Sequence, residues 1–215
     1  MNQIKLWHLV NMVSYIKKYV TFCFTPFGKQ LMNREAKFLI LELAGRKKIL
    51  DVGCGIGTFE ERMPDFDITG IDNDEQMLDV ARKRAPDANF YRAIASQLPF
   101  PNSSFDAIVF VTSLEFIEDY RLAIDEAARI LKSNGKLVGM ILNPESRYFQ
   151  SHYAKEDSYF RKIKHRNPSE ISDYVEKYFD ISTHYFLGID GKRIFNTSDK
   201  KYASLYTIVG TKCKF

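Results

Sequence analysis

Apolar residues fall along this chain in two alternating rhythms. Short apolar-rich runs at Ile49-Leu50-Asp51-Val52, Ile68-Thr69-Gly70-Ile71 and Ala107-Ile108-Val109-Phe110-Val111 predict strands. The last is apolar throughout, as expected for a strand buried on both faces. Between them lie stretches with helical spacing: Phe59 and Met63; Met77, Leu78 and Ala81; then Leu122, Ala123, Ala127, Ile130 and Leu131. Strand and helix in alternation predict an α/β fold with a mostly parallel sheet and helices on both faces. Phe24 to Gly28 reads as a turn, and a helix follows from Lys29 to Leu43, closed by Gly45. Strands are expected over 88–94 and 136–142, with Ser133-Asn134-Gly135 ending the helix between. Near the end, Asn167-Pro168 opens a helix with Ile171, Tyr174, Val175 and Tyr178 spaced for burial. Two strands, Ile181–Ile189 and Tyr202–Thr211, then pair antiparallel, with residues 191–193 and 197–201 in the loop joining them.

Residues 1–24 are apolar-rich, but Lys5, Asn11, Lys17 and Lys18 interrupt any run of the ~20 residues a membrane span needs. No clean apolar stretch precedes a small-residue cleavage site, so no leader peptide is expected. Leu6, Leu9, Val10, Val13, Ile16 and Val20 lie near helical spacing. An amphipathic helix there would pack on the core, lid the site, or touch a membrane surface. Trp7, Tyr15, Tyr19, Phe24 and Phe27 would form an aromatic wall or belong to the core.

The first predicted strand empties into Gly53-Cys54-Gly55-Ile56-Gly57, and a helix opens near Thr58. Glycines there permit φ > 0 and let a ligand approach with no Cβ in the way, and backbone N–H groups are expected to stand bare. A dinucleotide fingerprint would put its third glycine at 58, where this chain has Thr58. Asp51, two residues before the first glycine, would repel a pyrophosphate and suits a ligand carrying a cation. The second strand ends in Asp72, 19 residues past Gly53 and in reach of a ribose held over the loop. Asp72 also reads as a helix N-cap.

Asp51-Val52-Gly53-Cys54-Gly55-Ile56-Gly57 resembles motif I of the class I S-adenosylmethionine-dependent methyltransferases, of the type 11 kind. Ala95-Ser96-Gln97-Leu98-Pro99-Phe100 through Phe105-Asp106 matches that family's A-x-x-L-P-F-x-x-x-x-F-D segment, and Arg129-Ile130-Leu131-Lys132 through Gly135 and Leu137 its R-I-L-K-x-x-G-x-L segment. The resemblance covers residues 35–142 and implies a Rossmann-like, seven-stranded sheet with an antiparallel C-terminal strand pair and an N-terminal helical extension. It divides the chain into an extension, 1–34, and one domain, 35–215, with a cofactor half at 46–142 and a substrate-side half at 143–215. It implies S-adenosylmethionine as cofactor, with S-adenosylhomocysteine as product, held by Asp51, Gly53, Cys54, Gly55, Gly57, Asp72, Asn73, Met77, Ala95, Ser96 and Thr112. Members often carry Asp just before the Ala of the second segment; Ile94 stands there and cannot accept a hydrogen bond through its side chain.

Methyl transfer rests on alignment and needs a general base only where the acceptor sheds a proton. Candidates are Glu115, where strand 4 exits, His152 and His165, with Tyr148 and Tyr153 as orienting groups. Glu115 reads equally as a carboxylate favoured at a helix start. Three cysteines, Cys23, Cys54 and Cys213, predict a reducing cytoplasm and no disulfide framework, and neither they nor the four histidines have metal-site spacing. Net charge is +4 and uneven, with 13 Lys and Arg against 8 Asp and Glu from Arg147 onward. The run Arg161-Lys162-Ile163-Lys164-His165-Arg166 is a solvated face or a patch for an anionic substrate or RNA. The expectation is a methyltransferase acting on a small-molecule acceptor. The alternatives are an RNA or tRNA methyltransferase, a cofactor-binding protein without turnover, and a nicotinamide oxidoreductase that Thr58 and Asp51 argue against.

Overall fold

The computed structural model describes residues 14–213. One mixed sheet is built from β1 (Lys48–Val52), β2 (Asp67–Asp72), β3 (Asn89–Arg92), β4 (Phe105–Val111), β5 (Leu131–Leu142), β6 (Phe179–Asp190), β7 (Arg193–Phe195) and β8 (Ala203–Lys212). Its order is β3-β2-β1-β4-β5-β8-β6-β7. The first five strands are parallel, and β8, β6 and β7 add antiparallel. The chain runs outward from β1 through β2 to β3, then returns to the other side of β1 as β4. That reversal opens a crevice at the carboxyl ends of β1 and β4, where open α/β sheets bind ligands.

Among the described residues seven α-helices surround the sheet: α1 (Ser14–Phe24), α2 (Pro26–Glu42), α3 (Thr58–Arg62), α4 (Glu75–Arg84), α5 (Tyr120–Ile130), α6 (Arg147–Tyr153) and α7 (Pro168–Val175). Alternation along the strands assigns each residue a face. Leu50, Ile108 and Phe110 pack with Ala123 and Ala127 of α5 and Ile171 of α7. Ile49, Val109 and Met140 pack on the other face with Leu39 of α2 and Phe149 of α6.

The differences from the sequence reading are local. The sheet has eight strands rather than seven. The added one, β7, lies in a segment expected to be loop, where Gly191 at φ +58° turns the chain back on β6. β5 starts at Leu131 rather than 136: Asn134 takes φ +60°, and the register against β4 shifts between Phe105 and Ala107. Ser133-Asn134-Gly135 is thus an irregularity inside a strand, not a break before one. β3 is shorter than the expected 88–94.

The expected turn at 24–28 contracts to Thr25, which caps α2 by accepting from the Gly28 N–H (2.9 Å), with Pro26 at the first turn. Gly28 therefore lies inside a helix, and close approach explains it: a Cβ there would stand 2.1 Å from the Phe22 carbonyl oxygen. Helix α1 buries Ile16, Val20 and Cys23 against Met32 of α2, Ile56 of the glycine loop and Met77 of α4. Trp7 and the rest of residues 1–13, with any helix or membrane contact expected there, lie outside the described residues, as does the Tyr15 side chain. Among the described residues no helix is long and apolar enough to cross a membrane. Gly28→Ala should lower stability by about 1–3 kcal/mol, read as a reduced urea midpoint, because α1 must shift to admit the methyl group.

Candidate active site

A cavity of about 950 Å³ opens at the carboxyl ends of β1, β2 and β4, under α1, α2 and α6. Of the sequence-predicted cofactor residues, Asp51, Gly53, Cys54, Gly55, Asp72, Asn73, Met77, Ala95, Ser96 and Thr112 all line it. Gly57 does not. At φ +69° it faces α4, where a Cβ would come within 3.1 Å of Ala81 and Phe90, so its role is to let helix and loop close together. Gly53, at φ +79°, packs on Ser113, whose Cβ would lie 2.6 Å from an added methyl. Ser113 in turn donates to the Val52 carbonyl (2.7 Å).

The expectation of bare amides in this loop is not met. The N–H groups of Gly53 and Cys54 both donate to the Ile71 carbonyl (2.8 and 3.0 Å), and that of Gly57 donates to Cys54 O (3.1 Å). The Gly55 N–H donates to Asp72 Oδ2 (2.9 Å). Residues of β2 thus take three of these donors and the Cys54 carbonyl the fourth, so these four amides are not free for a ligand. Asp72 also accepts from the Asp74 N–H at Oδ1 (2.9 Å), while Asp74 itself caps α4. Two amides therefore aim the Asp72 carboxylate at the cavity, and each oxygen keeps a further lone pair. Ile94, in the place of the family's acid, lines the cavity with half its surface exposed.

What is unpaired in the site is acidic. Asp51 is 1% exposed, and neither carboxyl oxygen has a hydrogen-bond partner. Burial pushes its pKa well above the carboxylate range, and the charges of Glu60 and Asp72 push it further. Glu60, buried on α3 against Gly70, is likewise without partners and is lifted by burial to about 7. Burial also raises Asp72, although its amide partners pull the other way.

Part of the cavity wall is aromatic. Phe116 stacks on Tyr159 (4.8 Å between centroids), and Tyr148 lies against His152 (4.3 Å) and Phe160 (5.9 Å). From α2, Phe27 also meets Tyr148. Of the proposed aromatic wall, Tyr19 lines the cavity, while Phe24 lies half-exposed under the Arg84 guanidinium. His152 Nδ1 is 2.8 Å from the Tyr148 carbonyl, which only accepts, so Nδ1 carries the hydrogen and Nε2 keeps its lone pair. Burial lowers the His152 pKa, keeping the ring neutral, and raises that of Tyr148.

Glu115 and His165 stand elsewhere. Glu115 is not on the cavity wall: it is 1% exposed, and Oε1 accepts from the Leu142 N–H (3.0 Å). That geometry ties β4's exit to β5 and gives Glu115 no contact with an acceptor. His165 hydrogen-bonds the Ile117 carbonyl through Nε2 (2.9 Å). Tyr153 is flanked by the guanidiniums of Arg161 and Arg166. A cavity residue the sequence reading passed over is Glu35, buried on α2; its spacing from Leu31 and Leu39 already put it on that helix's apolar face.

Known proteins resemble this chain in sequence and in fold. Residues 50–139 match the family model described as a methyltransferase domain. Demethylmenaquinone methyltransferase of Thermotoga maritima is 37% identical over 110 residues, covering 49% of this chain and 48% of that protein. The protein of the same name from Thermus thermophilus is 35% identical over 127 residues, covering 55% and 57%. The chain thus spans about half the length of these curated relatives. Among solved structures, a Thermotoga maritima protein described as an S-adenosylmethionine-dependent methyltransferase, possible histamine N-methyltransferase, superposes with a TM-score of 0.76 at 22% identity, over 96% of this chain and 100% of that one. An S-adenosylmethionine-dependent methyltransferase from Archaeoglobus fulgidus gives 0.75 at 17%, over 93% and 100%. The two structural likenesses show a fold shared through nearly the whole chain.

The buried acids make stability pH-dependent. Burial raises Glu35, Glu60 and Glu115 from 4.5 to about 7. Between those values the folded chain holds more protons than the unfolded one, so stability falls as pH rises through the window and the loss is complete above it. The ligand-free protein should melt at a higher temperature at pH 5.5 than at pH 8.0. Glu115→Gln, which keeps an acceptor for Leu142, should shrink that difference; an unchanged difference would place the charge elsewhere.

Proposed function

We propose, from the premise that this chain carries a class I S-adenosylmethionine-dependent methyltransferase domain, that it transfers a methyl group from that cofactor to a small-molecule acceptor. The observation that carries the reading is Asp51, a buried carboxyl at the cavity floor with no donor of its own. S-adenosylmethionine bears a sulfonium and an ammonium, and a cation is what an unpartnered buried acid lacks. The residues present therefore fit the cofactor, whereas a pyrophosphate would meet Asp51 and Asp72 as like charges.

In this reading Asp51 faces the cationic end, and Asp72 accepts from the ribose hydroxyls. Asn73, Met77, Ala95 and Ser96 flank the adenine, with Gly53, Cys54, Gly55 and Thr112 shaping the middle. When bound, the cofactor supplies an electrophilic methyl on sulfur. The chain's task is alignment: α1, α2 and α6 exclude water, and Tyr148 and His152 orient the acceptor across the aromatic half. We assign residues 1–34 to an N-terminal extension and 35–215 to the domain, with acceptor contacts concentrated after residue 142.

A small acceptor is supported by a cavity of this size. The names of the relatives, demethylmenaquinone methyltransferase and possible histamine N-methyltransferase, concern small acceptors too. Three free cysteines support a reducing, cytoplasmic setting. No observation favours RNA: within the basic run, Arg161 and Arg166 lie over Tyr153 and Lys164 pairs with Glu118.

Calorimetry with S-adenosylmethionine, S-adenosylhomocysteine and NAD tests the reading. The first two should bind and NAD should not; binding of NAD alone would overturn it. Asp72→Ala should weaken S-adenosylhomocysteine at least tenfold, and unchanged affinity would remove the ribose assignment.

A further inference from the structure

The acceptor half of the cavity contains one interior charge that the methyltransferase reading does not use. Glu35 projects from the buried face of α2, is 7% exposed, and has neither a hydrogen bond nor an ion pair among the described residues. The groups facing it come from three elements: Tyr19 and Cys23 on α1, Arg62 on α3 and Tyr148 on α6. Arg62 acts only at a distance, because its guanidinium is taken up by Asn33, the Thr58 carbonyl and Glu61 (2.9 Å each). Tyr19 and Tyr148 are close enough for the Glu35 charge to raise both phenols.

The other charges on this side stand at the cavity's rim. Lys18 pairs with Asp157, Lys164 pairs with Glu118, and Lys155 is exposed beside His152. The interior thus holds a lone carboxyl among aromatic rings. A buried acid is costly to ionise without a partner, and ring faces also attract positive charge. Both features ask for the same guest, a cationic nitrogen on an apolar body. An alcohol would satisfy the hydrogen bond but not the charge, and a carboxylate would be repelled.

Resting on the methyltransferase reading, we propose that Glu35 anchors the acceptor and selects a primary or secondary amine carried on an apolar or aromatic body. The amine binds as an ammonium paired with the Glu35 carboxylate. One N–H proton passes to a carboxylate oxygen, which frees the nitrogen lone pair. That pair forms the new N–C bond to the methyl carbon as the C–S bond breaks, and the electrons of the broken bond stay on sulfur as a thioether. The positive charge lost by the sulfonium is carried away by the methylated ammonium. Burial that lifts Glu35 to about 7 suits a group that takes a proton and returns it near neutral pH.

Calorimetry on the full chain saturated with S-adenosylhomocysteine, at pH 8.0, tests this with three probes of one shape: 2-phenylethylamine, 2-phenylethanol and phenylacetate. The amine should bind at least tenfold more tightly than either of the others. In Glu35→Gln that advantage should drop below threefold while S-adenosylhomocysteine affinity stays within twofold. The proposal is overturned if the alcohol or the acid binds as well as the amine, if the amine fails to bind beside intact S-adenosylhomocysteine binding, or if Glu35→Gln keeps the preference. The wild-type comparison decides even if the variant does not fold. Failure of S-adenosylhomocysteine itself to bind would remove the methyltransferase reading and this proposal with it.

Discussion

A carboxyl held out of water with nothing to bond to is the constraint around which this site is arranged. Asp51 stands one residue before the end of β1, between β2 and β4, at the point where the sheet reverses direction. Its backbone is fixed by two parallel ladders, so the side chain cannot retreat to solvent. Glu60 and Asp72 add like charge nearby. Such a cluster is unfavourable in the empty protein and becomes favourable when a cation arrives. The two apolar faces of the sheet supply the stability that lets the fold tolerate it.

That account shifts emphasis from glycine amides to acids. A glycine pattern reports where the chain takes positive φ and where a Cβ would collide, and at Gly53 and Gly57 both hold. It says nothing about which amides remain free, because that depends on a partner strand. Here the Ile71 carbonyl and the Asp72 carboxylate reach across from β2 and occupy the loop's donors. With these donors taken, the loop's open surface serves a guest by shape.

Much of the architecture was legible because periodicity is local. β2 begins and ends where its apolar run and closing acid place it, and Asn167-Pro168 opens α7 as read. What escaped depends on contacts distant in sequence. β7 is three residues long, too short to show alternation, and exists through pairing with β6. Glu115 sits at a family-typical exit yet turns away from the cavity, because the Leu142 amide of the next strand captures it. The aromatic half of the cavity is assembled from α1, α2, α6 and the turn at Tyr159–Lys162, and spacing within any one of them could not reveal that their rings converge.

Protonation of the acid cluster links cofactor binding to pH, and this offers the most direct measurement of the central claim. Binding of S-adenosylmethionine measured near pH 6.5, in buffers of differing ionisation enthalpy, reports the protons exchanged. A cation that restores the ionised form of a raised carboxyl must expel a proton, so net release is the predicted result, and Asp51→Asn should diminish it. Binding with no proton exchange, or with uptake, would contradict the view that an unpartnered Asp51 carboxyl receives the cofactor's positive end.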